Sequence, residues 1–171
     1  QLKTWFSKLL TWILNSPQGQ EEARQANNHS TAHDAQVIAF AMYAGNMKVA
    51  REVINAIPRK RLFTQIEPDG KQPHELRRTL AFGYSQFNLS HFIDIFMMAR
   101  KIGISIDNAT SEDGRSFYKA MDFLVPYVGK DVKAWPYQQI SEWKYKQQEF
   151  CKDLYRTFLL NPERKDYLKL Y

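Results

Sequence analysis

Apolar residues in this chain recur at intervals of three and four, and that rhythm limits it to a helical fold. Leu2, Trp5, Phe6, Leu9, Leu10 and Ile13 would share one helix face. Ser16-Pro17-Gln18-Gly19 stops that helix, and a polar stretch follows from Gln20 to Ser30. Helical pattern resumes near Ala32 with Val37, Ile38, Phe40 and Ala41, and Gly45-Asn46 closes it. Val49, Val53, Ile54 and Ile57 predict the next helix, interrupted at Pro58. The longest predicted helix spans 80–102 and ends at Gly103. Further helices are expected over 117–125 and 141–160, the last one ended by Asn161-Pro162. No segment alternates with the period of two that a half-buried strand needs. Helices joined by short turns predict an all-α fold of antiparallel helix pairs.

The length of 171 residues suits one domain, 1–171, with no linker or low-complexity segment inside it. No apolar run nears the roughly 20 residues of a membrane span, so no membrane partner is expected. The start, Gln1-Leu2-Lys3-Thr4-Trp5, lacks signal-peptide character and reads as an amphipathic helix already under way, as in a mature form or a fragment. Cys151, the single cysteine, is expected to be a buried helix residue. The net charge of +6 favours a polyanionic partner without selecting one.

Two polar stretches stand out from the helical framework. The first is Asn27-Asn28-His29-Ser30-Thr31. The second runs from Pro68-Asp69-Gly70 through Pro73-His74-Glu75-Leu76-Arg77-Arg78 to Tyr84-Ser85-Gln86-Phe87-Asn88-Leu89. The first supplies an amide and an imidazole, the second guanidinium groups and a phenol. Such groups can bind a sugar carboxylate and move protons beside it.

In order and spacing these stretches resemble the alginate lyase family of polysaccharide lyases. That family carries an Asn-Asn-His-Gly-Thr block, then Asp-Gly-x-x-Pro-x-Glu-Leu-x-Arg, then a Tyr-Ser-x-Phe-Asn-Leu helix. The likeness extends to Trp5–Gly19 and to Phe117, Leu124, Pro126 and Trp135-Pro136-Tyr137. The resemblance implies an incomplete α/α toroid, with this chain lacking N-terminal helices of the family domain. It implies β-elimination on a uronic-acid polymer of the alginate or glucuronan type, without an organic cofactor, by a bacterial periplasmic or secreted enzyme. By this likeness Asn28 and His29 neutralise the uronate carboxylate, and His29 can also act as a base. Tyr84 serves as acid, or as acid and base, and Arg78 supports the charge. A phenol with a reference pKa near ~10 needs positive charge nearby for such work. Arg77, His33, Trp135 and Tyr137 are the further substrate-binding candidates. The chain departs from the family pattern at Ser30, where Gly is usual, and at Ala32-His33, where Trp-Tyr is common. Phe87 stands where some members place the Tyr.

Each candidate also has a plainer reading. His29, after two Asn, could simply cap the next helix, for which Ser30 or Thr31 is a good N-cap in any case. Tyr84 could be a core aromatic at helical spacing, and Trp135 and Tyr137 could pack rather than stack on sugars. Arg59-Lys60-Arg61 reads as a solvated turn. His29 and His33 are four apart, but Ser30 occupies the Glu position of a zincin motif, so no metal is expected. Asp34, Asp69 and Glu75 are not spaced as a glycosidase pair, and no Gly-x-Ser-x-Gly elbow occurs. One alternative is a non-catalytic polyuronate-binding or scaffold domain. Another is a basic helical nucleic-acid-binding domain. Positive charge spread along the chain, with no recognition-helix motif, argues against a nucleic-acid partner. The oligomeric state is not encoded legibly.

Overall fold

A computed structural model describes all 171 residues. It is built from helices and contains no β-strand, only two isolated bridges. Helix α1 spans Leu2–Asn15, and α2 follows over Pro17–Arg24. Helix α3, Asn28–Ala44, and α4, Met47–Ile57, form a hairpin through Gly45, whose φ of 83° is a left-handed value that glycine tolerates. After Ile57 the chain does not break at Pro58. It passes through a π-helical turn, Pro58–Leu62, into the short α5, Phe63–Gln65. A wider turn accommodates a residue that has no N–H to donate. The short α6, Pro73–Leu76, precedes the longest helix, α7, Ala81–Lys101. Helices α8, Phe117–Leu124, α9, Trp143–Leu160, and α10, Lys165–Leu168, complete the chain. No helix is long and apolar enough to cross a membrane.

Helix α7 is the axis of the molecule. It packs against α3 on one side and α9 on the other, with α6 and α8 alongside. Phe82, Leu89, Phe92, Ile93 and Phe96 of α7 are fully buried with Ile38, Ile54, Phe117 and Phe150. Each such side chain contributes about 1.5–3 kcal/mol of burial free energy. A smaller cluster, Leu10, Ile13, Val37, Ala41 and Ala50, seats α1 against α3 and α4.

Several boundaries differ from the sequence reading. The stretch from Gln20 to Ser30 is helical through Arg24, because the Ser16 hydroxyl caps the turn by accepting from Gly19 N at 3.0 Å and Pro17 occupies its first position. Helix α3 begins at Asn28 rather than near Ala32. Its cap is Asn27, whose side-chain oxygen accepts from His29 N at 3.2 Å, and not Ser30 or Thr31. Arg61 is buried rather than solvated, and Cys151 is only partly buried.

Candidate active site

The first turn of α3 leaves N–H groups without helical partners, and Glu75 answers one of them. This buried carboxylate of α6 accepts from Asn28 N at 2.6 Å and from Asn28 Nδ2 at 2.7 Å. A carboxylate at a helix N-terminus is also favoured by the helix dipole. Arg78, three residues on, brings Nη1 to 3.5 Å from Glu75 Oε2. Its guanidinium carbon lies 3.2 Å from the centroid of the Tyr84 ring, well within cation–π range. Asn28, Glu75, Arg78 and Tyr84 thus form one continuous chain of contacts, although they come from three separate helices and the loop after α6.

A buried amide network fixes this arrangement from below. Gln65 Oε1 accepts from Thr31 Oγ1 and from Asn88 Nδ2, both at 2.9 Å. Gln65 Nε2 donates to Ser30 Oγ at 3.1 Å. Asn88 Nδ2 also donates to Gln72 Oε1 at 2.8 Å, and Gln72 Nε2 donates to the Ser85 carbonyl at 3.1 Å. These side chains tie the start of α3 and the segment before α6 to α7. Ser30 therefore belongs to the scaffold, since its hydroxyl donates to the Asn27 carbonyl and accepts from Gln65.

A groove of about 320 Å³ opens over the start of α3. Asn28, His29 and His33 line it from α3, Trp12 from α1, Glu22 from α2 and Phe87 from α7. His29 is half exposed, and its Nδ1 lies 2.8 Å from Glu22 Oε2. His33 is buried, with Nδ1 at 3.2 Å from Asp34 Oδ1 and no protein partner for Nε2. Burial alone would raise the Asp34 carboxyl. Hydrogen bonds from His33 and Arg61, with the Arg61 charge, outweigh that and hold it below the usual carboxylate range. Arg61 Nε meets Asp34 Oδ2 at 2.7 Å, while Arg61 Nη2 donates to the Ala23 carbonyl of α2 at 2.8 Å.

Tyr84 does not line this groove. It lines an adjoining hollow of about 250 Å³ with Leu80, Gly83, Phe87, Glu142 and Lys146. Phe87, 42% exposed, lines both spaces, so its ring marks where they meet. His29 and Tyr84 therefore line separate spaces that share Phe87, and neither is sealed in the interior.

The other predicted residues sit elsewhere. Arg77 is exposed, and its Nε donates back to the Pro73 carbonyl at 3.0 Å, away from both spaces. Trp135 is 5% exposed and enclosed by Phe82, Phe123, Tyr127, Tyr137 and Trp143, so its ring cannot stack on a sugar. Tyr137 packs on Trp135 at 5.2 Å between centroids and lines neither space. His29 and His33 send Nδ1 to different carboxylates, and no group of three or more His, Cys, Asp or Glu side chains is arranged to hold a metal ion.

Three site residues escape the sequence reading. Glu75 enters it only as a member of the Glu-Leu-x-Arg stretch and as a carboxylate not spaced for a glycosidase pair, with no role of its own, and Glu22 not at all. Trp12, 53% exposed in the groove, falls outside the apolar repeat of α1, and that displacement is its one visible signal.

The alginate lyase family model matches residues 1–135. A crystal structure of an alginate lyase from Bacteroides ovatus superposes with a TM-score of 0.96 at 49% sequence identity, over 99% of this chain and 44% of that one. The chain therefore spans less than half the length of that relative. No curated protein matches the sequence.

Proposed function

The chain belongs to the alginate lyase family, and from that premise we propose that it cleaves a uronic-acid polymer of the alginate or glucuronan type by β-elimination. The observation that carries this reading is the contact chain from Asn28 through Glu75 and Arg78 to Tyr84, beside the groove that holds His29.

The proton at C5 of a uronate is not acidic while the neighbouring carboxylate keeps its full charge. A donor to that carboxylate stabilises the enediolate-like transition state. Asn28 Nδ2 carries two hydrogens. Glu75 takes one, and the other remains for the substrate carboxylate. His29 stands beside it in the groove to receive the C5 proton. As the C5–H bond breaks, its electron pair forms the C4–C5 double bond and the C4–O bond cleaves. Tyr84 supplies a proton to the leaving oxygen. The Arg78 guanidinium on the Tyr84 ring stabilises negative charge developing on the phenol oxygen. Trp12 and Phe87 offer exposed rings against which sugar faces can pack. The chemistry requires no organic cofactor. The incomplete α/α toroid of the family likeness would carry such a cleft across one end of its helices, and a periplasmic or secreted location suits a polymeric substrate.

The test is incubation of the folded protein with polymannuronate, polyguluronate and glucuronan, read by the ultraviolet absorbance of the unsaturated product. A rise with at least one polymer is expected. No rise with any of them overturns the reading. Polymer binding without cleavage would point instead to a non-catalytic polyuronate-binding domain.

A further inference from the structure

We propose that Glu22 is a positioning residue for His29, selecting the imidazole tautomer in which Nε2 is a proton acceptor. In what it says of catalysis, this rests on the elimination reading above. The geometry of the pair does not.

His29 Nδ1 lies 2.8 Å from Glu22 Oε2, and both side chains line the same groove. A carboxylate can only accept, so Nδ1 must carry the hydrogen. The neutral ring then has its lone pair on Nε2. A histidine in that form cannot donate to a substrate carboxylate, but it can take a proton from carbon. The pair therefore divides the work: Asn28 binds the carboxylate, and His29 receives the C5 proton. Glu22 also stabilises the imidazolium formed by that step.

Glu22 is half exposed, and an ion pair at such a site is usually weak. Here the backbone beneath it is anchored. The Arg61 side chain, itself buried on Asp34, holds the Ala23 carbonyl next to Glu22. Gly19, one turn earlier, is seated so closely on α1 that a Cβ there would lie 1.9 Å from the Ile13 carbonyl oxygen. Helix α2 is short and polar, and it packs on both α1 and α3. These contacts hold Glu22 over the first turn of α3. The other titratable groups nearby are His33, on the same helix and engaged by Asp34, and Glu75, engaged by Asn28 and Arg78.

The tautomer is read directly by long-range proton–nitrogen correlation on histidine-labelled protein at about pH 8–9, where an ordinary imidazole is neutral. The His29 resonances are assigned by their loss in His29→Gln. In the unaltered protein His29 is expected with hydrogen on Nδ1. Glu22→Gln keeps that form, because the amide oxygen accepts the same bond. Glu22→Ala releases the ring to the Nε2–H form that histidine favours in water. The resonances of buried His33 serve as the fold control. Finding His29 as Nε2–H in the unaltered protein, or unchanged in folded Glu22→Ala, overturns the proposal. Should Glu22→Ala fail to fold, the tautomer of the unaltered protein still decides. On a polymer that is cleaved, Glu22→Ala should lower kcat by at least about tenfold with KM little moved, part of the ~10²–10⁴ that a positioned base supplies. Equal kcat in the two proteins overturns the catalytic role. Failure of all polymer cleavage would leave the resonances as they are, so the two failures are distinct.

Discussion

The guanidinium carbon of Arg78 lies 3.2 Å from the centroid of the Tyr84 ring, while the same side chain reaches Glu75 at 3.5 Å. One planar group therefore serves an aromatic face and a buried carboxylate together, which an ammonium cannot reproduce. Arg78→Lys keeps the charge and loses the stacking and the fork. Cleavage should fall by about 10²-fold, the scale of a misplaced catalytic group. Arg78 is partly exposed and its variant keeps the charge beside Glu75, so stability should change by no more than about 1 kcal/mol. Product absorbance and a melting curve check the two halves.

Tyr84→Phe separates the phenol from the ring. The ring stays under Arg78 and beside Phe87, and only the hydroxyl is lost. A proton-transfer role predicts a fall in kcat of about 10²–10⁴-fold with polymer affinity retained. A melting temperature equal to that of the parent protein would show that the loss is chemical.

The framework is more legible than the site for a physical reason. Helix α7 is predicted over 80–102 and runs Ala81–Lys101, because its own apolar rhythm and Gly103 determine it locally. Helix α2 escapes prediction because Pro-Gln-Gly-Gln-Glu-Glu-Ala-Arg has almost no apolar rhythm. It is held by the Ser16 cap and by packing on α1 and α3. Asn27, Ser30 and Thr31 are all good cap types. Asn27 takes the role where Glu75, 47 positions away from Asn28, completes the same first turn. Trp135 and Trp12 show the limit for aromatic rings. Composition cannot tell a ring in the core from one in a groove, and the two rings sit opposite to the expectation that Trp135 touches substrate.

Asn28 should be far less tolerant of charge than of truncation. Asn28→Ala removes one buried side-chain hydrogen bond to Glu75, and should cost about 1–3 kcal/mol. Asn28→Asp sets a second carboxylate where Nδ2 lies 2.7 Å from Glu75 Oε2. One of the two must then be protonated or remain an unpaired buried charge, a cost of about 3–5 kcal/mol. Urea unfolding at about pH 7 should rank the parent above Asn28→Ala and both above Asn28→Asp, and both variants should lose cleavage.

The Asp34–Arg61 pair predicts a specific acid sensitivity. The folded-state pKa of Asp34 is depressed, so below its ordinary value of 3.8 the unfolded chain binds a proton that the folded one refuses. Its contribution is therefore present above the unfolded pKa and is lost as pH falls through the lower folded value. Asp34→Asn leaves Arg61 buried without its anion, and should cost about 3–5 kcal/mol at neutral pH. Melting curves at about pH 7 and about pH 3 should show a smaller acid-induced drop in the variant than in the parent. An equal drop in both would remove Asp34 from the acid response.

Gly19→Ala tests whether placement of α2 governs the groove. An added methyl would lie 1.9 Å from the Ile13 carbonyl oxygen and 2.8 Å from its carbon. Those atoms belong to backbone in a packed helix and cannot swing away as a flexible side chain would. The strain must move α2 off α1, at a cost of about 1–3 kcal/mol. Glu22 lies three residues on, so the displacement should loosen its bond to His29 while leaving Glu75, Arg78 and Tyr84 in place. Cleavage should fall further than the stability loss explains, in the same direction as in Glu22→Ala. Full activity in Gly19→Ala protein that is measurably less stable would show that the groove does not depend on where α2 sits.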